Sequence, residues 1–345
     1  MRDHIVIHLT TRRNPHRFGT DNRRRWSLIR EGMTVGEFVS AHGVAEDTRA
    51  ASDARKYLAY MVQRGLIELP GYVPAPRRVR RQELAATSAL STELDGFTFG
   101  VEFEVWLPRG TSHSAAAAKL TEAGVTCRSE LYGHSTPTNW KVITDGSLGN
   151  YRRGAEFVSP ILQGAVGLAE VEKVARALHA MGATVNKRCG FHVHVGAANE
   201  QANFFRSALR LYSRNEWLID AVMPLSRRGN NNEYCQPIRL RDITDDSTRS
   251  EILRTVNVRH AKLSVASYSR HGTIEFRQHA GTVEADKASF WIKFCLRLCN
   301  AAQAGRQEAA ESLAGLLDSI GAAEDEKIFF SNREARLATL QQVAA

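Results

Sequence analysis

The segment FTFGVEFEVWL (97–107) constrains the fold more than any other stretch. Side chains alternate across a β-strand. Phe97, Phe99, Val101, Phe103, Val105 and Leu107 therefore share one face, and Gly100, Glu102, Glu104 and Trp106 share the other. The first face is a core face. The second carries two carboxylates ~7 Å apart, which repel by about 2 kcal/mol at an effective dielectric of ~20. A solvated surface tolerates that repulsion, and bound cations relieve it.

Three further segments repeat the arrangement. In CGFHVHVG (189–196), Phe191, Val193 and Val195 face one way while His192 and His194 face the other. Two imidazoles at i and i+2 on a strand suit several divalent metals. In GAEFVSP (154–160), Ala155 and Phe157 face the core and Glu156 the polar side. In HGTIEFRQHAGT (271–282), Ile274 and Phe276 point inward, and Thr273, Glu275, Arg277 and His279 share the opposite face. That last strand sets an anion-binding guanidinium beside a metal-binding carboxylate. One sheet, with a polar ligand-lined face and a helix-covered back, accounts for all four. Asp145 precedes a Gly-Ser turn upstream of Glu156, and Arg152 and Arg153 fall in the intervening loop, where solvated arginines are ordinary. An oxygen-rich donor set favours Mg²⁺ or Mn²⁺ over Zn²⁺. Neither GxxxxGK[ST] nor GxGxxG occurs, so a bound nucleotide would be held by this sheet face and not by a P-loop.

Around these strands the pattern predicts helices near 114–123, 165–181, 199–219 and 285–304, extended pieces near 125–132 and 139–144, and a peripheral helical C-terminus. The 345 residues suffice for one large and one small domain. The expected division is a basic winged-helix-like domain at 1–73, a linker at 74–96, a catalytic domain at 97–310 and a helical tail at 311–345. TVGEFVSAHG (34–43) carries a capping box, with Thr34 as N-cap and Glu37 three positions on. Helices are also expected over 22–31 and 48–64, with LIEL (66–69) extended.

Charge separates the two parts. Residues 1–81 hold 16 Lys and Arg against 8 Asp and Glu, whereas the remaining 264 hold 30 against 29. Nearly all of the net +9 therefore lies in the first quarter, which suits a polyanionic partner such as nucleic acid bound through residues 1–81, or equally a small accessory domain. No apolar run approaches the ~20 residues of a transmembrane helix, so no membrane partner is expected. Five cysteines without a CxxC motif fit a reduced, cytoplasmic protein.

Taken in order, GVEFEV, WKVITDGSL, GAEFVSPIL, CGFHVHVG, RRGNNNEYCQP and HGTIEFRQHAGT resemble the amidoligase family of the glutamine synthetase and glutamate–cysteine ligase superfamily. The likeness spans about residues 97–300. It implies an α+β fold: a curved antiparallel sheet of glutamine synthetase/glutamate–cysteine ligase type, with helices on its back, holding ATP and divalent cations (Mg²⁺ or Mn²⁺) on its concave face. By the same resemblance Glu102, Glu104, Glu156, His192 and Glu275 are metal ligands, and His194 lies near the phosphates. Arg277 contacts the transferred phosphate, Asp145 contacts substrate or amine, and Lys262 is a cofactor-binding candidate. Arg227, Asn230 and Tyr234 fall in matching segments without an assigned role. EGMTVGEFVSAHG (31–43) resembles small helical domains of phage-encoded proteins.

The function so implied is an ATP-dependent carboxylate–amine ligase that works through an acyl phosphate, with a carboxylate and an amine as substrates. Two alternatives stay open. A metal-dependent hydrolase using the HxH and the carboxylates would act without nucleotide. A non-catalytic, nucleic-acid-associated module would show no turnover.

Overall fold

The computed structural model describes residues 3–9, 26–41, 54–55, 57–58, 61–62, 67–70, 96–131, 133, 136–148, 153–240 and 242–344. They fall into two compact units, Met1–Leu84 and Ala85–Ala345. The linker expected at 74–96 lies almost wholly outside the described residues.

In the smaller unit, β1 (His8–Leu9) pairs antiparallel with β2 (Ile67–Glu68), and α1 (Val35–Ala41) packs on the same core. Ile7, Trp26, Phe38, Leu58 and Met61 form that core. The capping box is present: Glu37 N–H donates to Thr34 Oγ1 at 3.2 Å, and Thr34 N–H donates back to the Glu37 carboxylate at 2.6 Å. The Thr34 N–H bond, and after it the bond that Thr34 Oγ1 donates to the same carboxylate, hold the Glu37 carboxyl below its ordinary range. Gly32 has a φ of 80°, a conformation open to glycine, where the segment before α1 turns. The helices expected over 22–31 and 48–64 fall partly outside the described residues.

The larger unit is built on an eight-stranded sheet. Its strands are β3 (Thr98–Trp106), β4 (Cys127–Ser129), β5 (Trp140–Ile143), β6 (Gly154–Val158), β7 (Leu162–Gln163), β8 (Phe191–Gly196), β9 (Leu263–Ser264) and β10 (Thr273–Phe276). The order is β4-β5-β6-β3-β8-β10-β9, and β7 pairs with one end of β3. Every pairing is antiparallel except β4 with β5.

Helices α2 (His113–Glu122), α3 (Gly164–Ala180), α4 (Ala202–Arg214) and α8 (Ala285–Gln303) supply the other layer. The alternation in β3 decides its orientation. All six apolar residues from Phe97 to Leu107 are buried, in one core with Phe157, Phe191, Val193, Phe205 and Trp291. Burying a side chain of that size stabilises by roughly 1.5–3 kcal/mol, so the polar set of β3 is forced to the other face. At Gly167 an added Cβ would lie 2.9 Å from Leu162 Cβ and 3.1 Å from the Phe99 ring, so glycine lets α3 close onto β3 and β7.

The structure departs from the sequence pattern in three places. The single helix expected over 199–219 is broken at Asn215 into α4 and α5 (Glu216–Ala221). Asn215 is fully buried, and its side-chain amide donates to the carbonyls of Leu211 and Glu308 while its Oδ1 accepts from Ala310 N–H. It thus satisfies the Leu211 carbonyl that the break frees and ties the break to the segment around Glu308 and Ala310. The second departure is the set of short elements α6 (Arg249–Thr255), β9 and α7 (Tyr268–His271), which were too brief for a periodicity to register. The third is the C-terminus, which is not peripheral. From α9 (Leu313–Ser319), Leu313, Leu316 and Leu317 join the main core, as does Phe330 of α10 (Glu324–Ala344). Buried Arg297 of α8 donates to Glu326 at 2.6 Å, fastening α10 in place.

Candidate active site

Strand register builds the site. Across β3 and β8, Glu102 pairs with His192 and Gly100 with His194. Across β8 and β10, His194 pairs with Glu275. Across β3 and β6, Glu104 pairs with Glu156. Cross-strand partners project to the same side, so four strands deliver their polar groups to one place. That place is a cavity of about 790 Å³, lined by Glu102, Glu104, Glu156, His192, His194 and Glu275 and also by Asp145 and Arg277. The volume lies within the usual range for a small-molecule site.

The groups are close-set. His192 Nδ1 lies 3.0 Å from Glu102 Oε2, and its Nε2 lies 3.6 Å from Glu104 Oε1. His194 Nδ1 lies 3.1 Å from Thr273 Oγ1, and its Nε2 faces Glu102 Oε1 at 3.3 Å and Glu275 Oε1 at 3.9 Å. Arg277 donates to Glu275. Glu104 Oε2 accepts from Gly190 N–H at 2.5 Å.

This crowding perturbs the titration of the cation-free protein. Burial opposes the Glu102 charge, but His194 and His192 outweigh it and hold its carboxyl well below the usual carboxylate range. Burial, and then the charges of Glu102 and Glu104, push the Glu156 carboxyl well above that range. Burial raises Glu104 as well, with His192 opposing. Burial works against a charged His194, yet Glu275 and Glu102 raise its pKa. Like charges held this close cannot all ionise without compensation.

A divalent cation supplies that compensation, and the donors fit one. Glu102, His194 and Glu275 each place a donor atom within 4.8 Å of the others. Among the described residues the buried Nε2 of His194 has no hydrogen-bond partner, although it points at two carboxylates. Carboxylate-dominated sites with one imidazole suit Mg²⁺ or Mn²⁺.

The remaining candidates divide. Asp145 lines the cavity, with its two oxygens accepting from Ser147 N–H at 2.9 Å and Ser147 Oγ–H at 2.6 Å. Arg277 lines it too, although β10 ends at Phe276. The Arg277 N–H still donates to Lys262 O at 2.8 Å, which carries the pairing one residue further. His279 does not follow. It is buried against Phe191 and Trp291, with ring centroids 5.9 and 5.3 Å away, and burial drives its pKa well below the ordinary value. The alternation from Thr273 to His279 stops with the strand.

Lys262 is placed elsewhere as well. Its fully buried ammonium donates at 2.7 Å to both Glu216 and Asp220 of α5, and it does not line the cavity. A lysine held by two carboxylates is a structural ion cluster, so the cofactor role expected of it gives way to that one. Arg153 packs over Trp106 and donates to Leu107 O, while Arg152 lies outside the described residues.

The family model described as "Putative amidoligase enzyme" matches residues 95–299. The chain belongs to this amidoligase family. The matched span contains every residue of the amidoligase cavity named above. No curated protein matches the chain. A solved structure described as a novel glutamine synthase homolog aligns over 74% of this chain and 71% of that one, at 12% identity and a TM-score of 0.34.

Sequence reasoning missed the loop residues of the amidoligase cavity. Lys187, Arg188, Arg259 and Arg270 all line it. Lys187, Arg188 and Arg259 sit in turns and Arg270 in the four-residue α7, where no alternation marks a face. Tyr234, which had no assigned role, lines the cavity with its ring 5.1 Å from that of His260, as do Asn231 and Asn232, whereas Asn230 does not. Among the described residues no helix is long and apolar enough to cross a membrane, and all five cysteines are free and buried.

Proposed function

We propose that this amidoligase is an ATP-dependent ligase joining a carboxylate to an amine. The observation that carries the reading is the convergence of Glu102, Glu156, His192, His194 and Glu275 from four strands onto one cavity beside the Arg277 guanidinium. ATP, as a substrate, would transfer its γ-phosphoryl group to the acid, giving an acyl phosphate and ADP. The amine then attacks the acyl carbon, loses a proton and expels phosphate.

Glu102, Glu275 and His194 would hold one divalent cation, and Glu104, Glu156 and His192 line the same cavity as candidate ligands for a further one. When bound, such cations neutralise phosphate oxygens and favour charge build-up in the transition state. Arg277 would stabilise the equatorial oxygens of the transferring group, and its bond to Glu275 keeps the guanidinium at the cavity wall. Asp145, which also lines the cavity, offers a carboxylate for an incoming ammonium.

Among the described residues, those that line the cavity all belong to the larger unit. The arginines that suggest a nucleic-acid partner, such as Arg23, Arg24 and Arg25, lie outside the described residues.

The test is Mg²⁺-dependent ATP consumption against a mixed panel of amino acids and polyamines, with Glu275→Ala and Arg277→Ala alongside. Acid- and amine-dependent ADP release by the wild type, reduced at least 100-fold in both variants, supports the reading. Equal ATP consumption by all three proteins removes these residues from the mechanism.

A further inference from the structure

The ligase reading leaves Arg227 without a role. It is 2% exposed, lines the cavity, and belongs to the RRGNNNEYCQP loop. One terminal nitrogen of its guanidinium donates to Cys189 O at 2.6 Å and Arg188 O at 3.3 Å. Its Nε is buried without a partner, and among the described residues it forms no ion pair. A buried guanidinium with no carboxylate in contact is costly, and Glu104, whose burial-raised pKa its charge lowers, acts on it from beyond ion-pair distance. Divalent cations on the cavity floor do not help, because Arg227 needs the opposite charge.

The surroundings repeat the demand. Gly190 bridges Ala280, so the turn before β8 lies at the end of the sheet where β10 finishes. That turn carries Lys187 and Arg188. Gln236 N–H donates to His260 O, and Lys262 N–H donates to Gln236 O, which brings Arg259 and the Arg227 loop to the same end. Lys187, Arg188 and Arg259 are exposed, line the cavity and form no ion pair among the described residues. Arg277 also keeps a buried Nε without a partner there. The acid fixed at this end is Glu104, which accepts from Gly190 N–H and forms no ion pair with Arg227, and Asp145 and Glu233 also line the cavity.

We propose that this end of the cavity is an oxyanion subsite built on Arg227, with Lys187, Arg188 and Arg259 around it. Its ligand is a phosphate or carboxylate group of a substrate, apart from the group that reacts over the floor. Two sources present that chemistry: the phosphates of a nucleotide, and a second carboxylate on the acid to be joined. As a statement about substrate the proposal rests on the ligase reading. As a statement about anion binding it does not, so its test reads binding and not turnover.

The backbone supports a fixed position for Arg227. Gln278, fully buried, donates to Arg227 O at 3.2 Å and accepts from Tyr212 OH at 2.5 Å. Gly229 N–H donates to Asp220 at 2.7 Å. The loop is thereby fastened on both sides of Arg228, and the guanidinium is held ready before any ligand arrives.

The experiment is calorimetric titration of the full chain with inorganic tripolyphosphate and, separately, with triglutamate peptide, in Mg²⁺-containing buffer of constant ionic strength. The variants are Arg227→Gln and the double exposed variant Arg188→Ala/Arg259→Ala, each checked for fold by thermal unfolding. The wild type is expected to bind at least one probe, and both variants to bind it roughly tenfold or more weakly, as loss of a charge-assisted hydrogen bond requires. Weakening confined to tripolyphosphate assigns the subsite to phosphate, and weakening confined to the peptide assigns it to carboxylate. Failure of the wild type to bind either probe, or unchanged affinity in a folded Arg227→Gln protein, overturns the proposal. Should Arg227→Gln not fold, the double variant decides by the same criterion. None of these results depends on whether ATP is turned over.

Discussion

Gly190 lies directly beneath His192: a Cβ built on the glycine would sit 2.5 Å from the imidazole Nε2 and 3.3 Å from Glu104 Oε2. The imidazole that joins Glu102 to Glu104 therefore occupies space that any other residue at 190 would fill.

Gly190→Ala is expected to displace His192 while leaving the sheet intact, because the rest of β8 is anchored by Phe191, Val193 and Val195 in the core. Overpacking of this kind costs about 1–3 kcal/mol. Mn²⁺ binding followed by electron paramagnetic resonance should weaken by roughly tenfold. Wild-type Mn²⁺ affinity in a folded variant would show that His192 is not needed to arrange the carboxylates.

The raised pKa of Glu156 makes a pH prediction with a definite sign. A carboxyl that holds its proton more tightly when folded stabilises the protein below its raised pKa, and that contribution is lost as pH rises through it. The cation-free protein should therefore lose thermal stability as pH climbs from the ordinary carboxylate range through the Glu156 titration. Cation binding displaces the proton, so Mg²⁺ affinity should rise over the same window. Thermal unfolding in chelator and in Mg²⁺ at a series of pH values reads both effects. Glu156→Gln should flatten the chelator series, and a slope that survives the substitution assigns it to another group.

Lys262→Met would leave Glu216 and Asp220 facing each other without their shared cation. Removing one partner of a buried ion cluster destabilises by about 3–5 kcal/mol. A triple variant that adds Glu216→Gln and Asp220→Asn should recover much of the loss in urea unfolding, since the uncompensated charges are then gone. No recovery would mean that the amine is needed for its packing and not for its charge.

Ending the chain at residue 310 removes Leu313, Leu316, Leu317 and Phe330 from the core and leaves Arg297 without Glu326. The truncated protein is expected to unfold cooperatively at a much lower temperature, or to aggregate, in a scan of light scattering against temperature. Unchanged melting would make α9 and α10 an appendage after all.

The strands were legible wherever one face is wholly apolar. Phe97 to Leu107 alternate without exception, and the same residues are buried in β3. Because the side-chain period of a strand is two, burying the apolar set also decides where Glu102 and Glu104 point. The same reasoning placed Glu156, His192, His194 and Glu275 correctly on the polar side, each being flanked by core residues. It failed at His279, since alternation holds only while the ladder continues and β10 ends at Phe276. For Lys262, the charges that claim it lie on a helix 42 and 46 residues away in sequence, and no local pattern registers such a partner.

The sequence by itself determined which faces of four strands are apolar and which carry carboxylates, imidazoles and a guanidinium, because burial of aromatic and branched side chains outweighs every local alternative. Only the tertiary structure decided which of those groups meet. Strand order and register put His194 opposite Glu275 and Glu102 opposite His192, and the turns at the strand ends brought Arg227, Arg188 and Arg259 to the same cavity. The pairings that build the site join segments 52 to 96 residues apart in the chain, such as Glu104 with Glu156 and Phe99 with Val195, so register belongs to the folded sheet and not to any one strand.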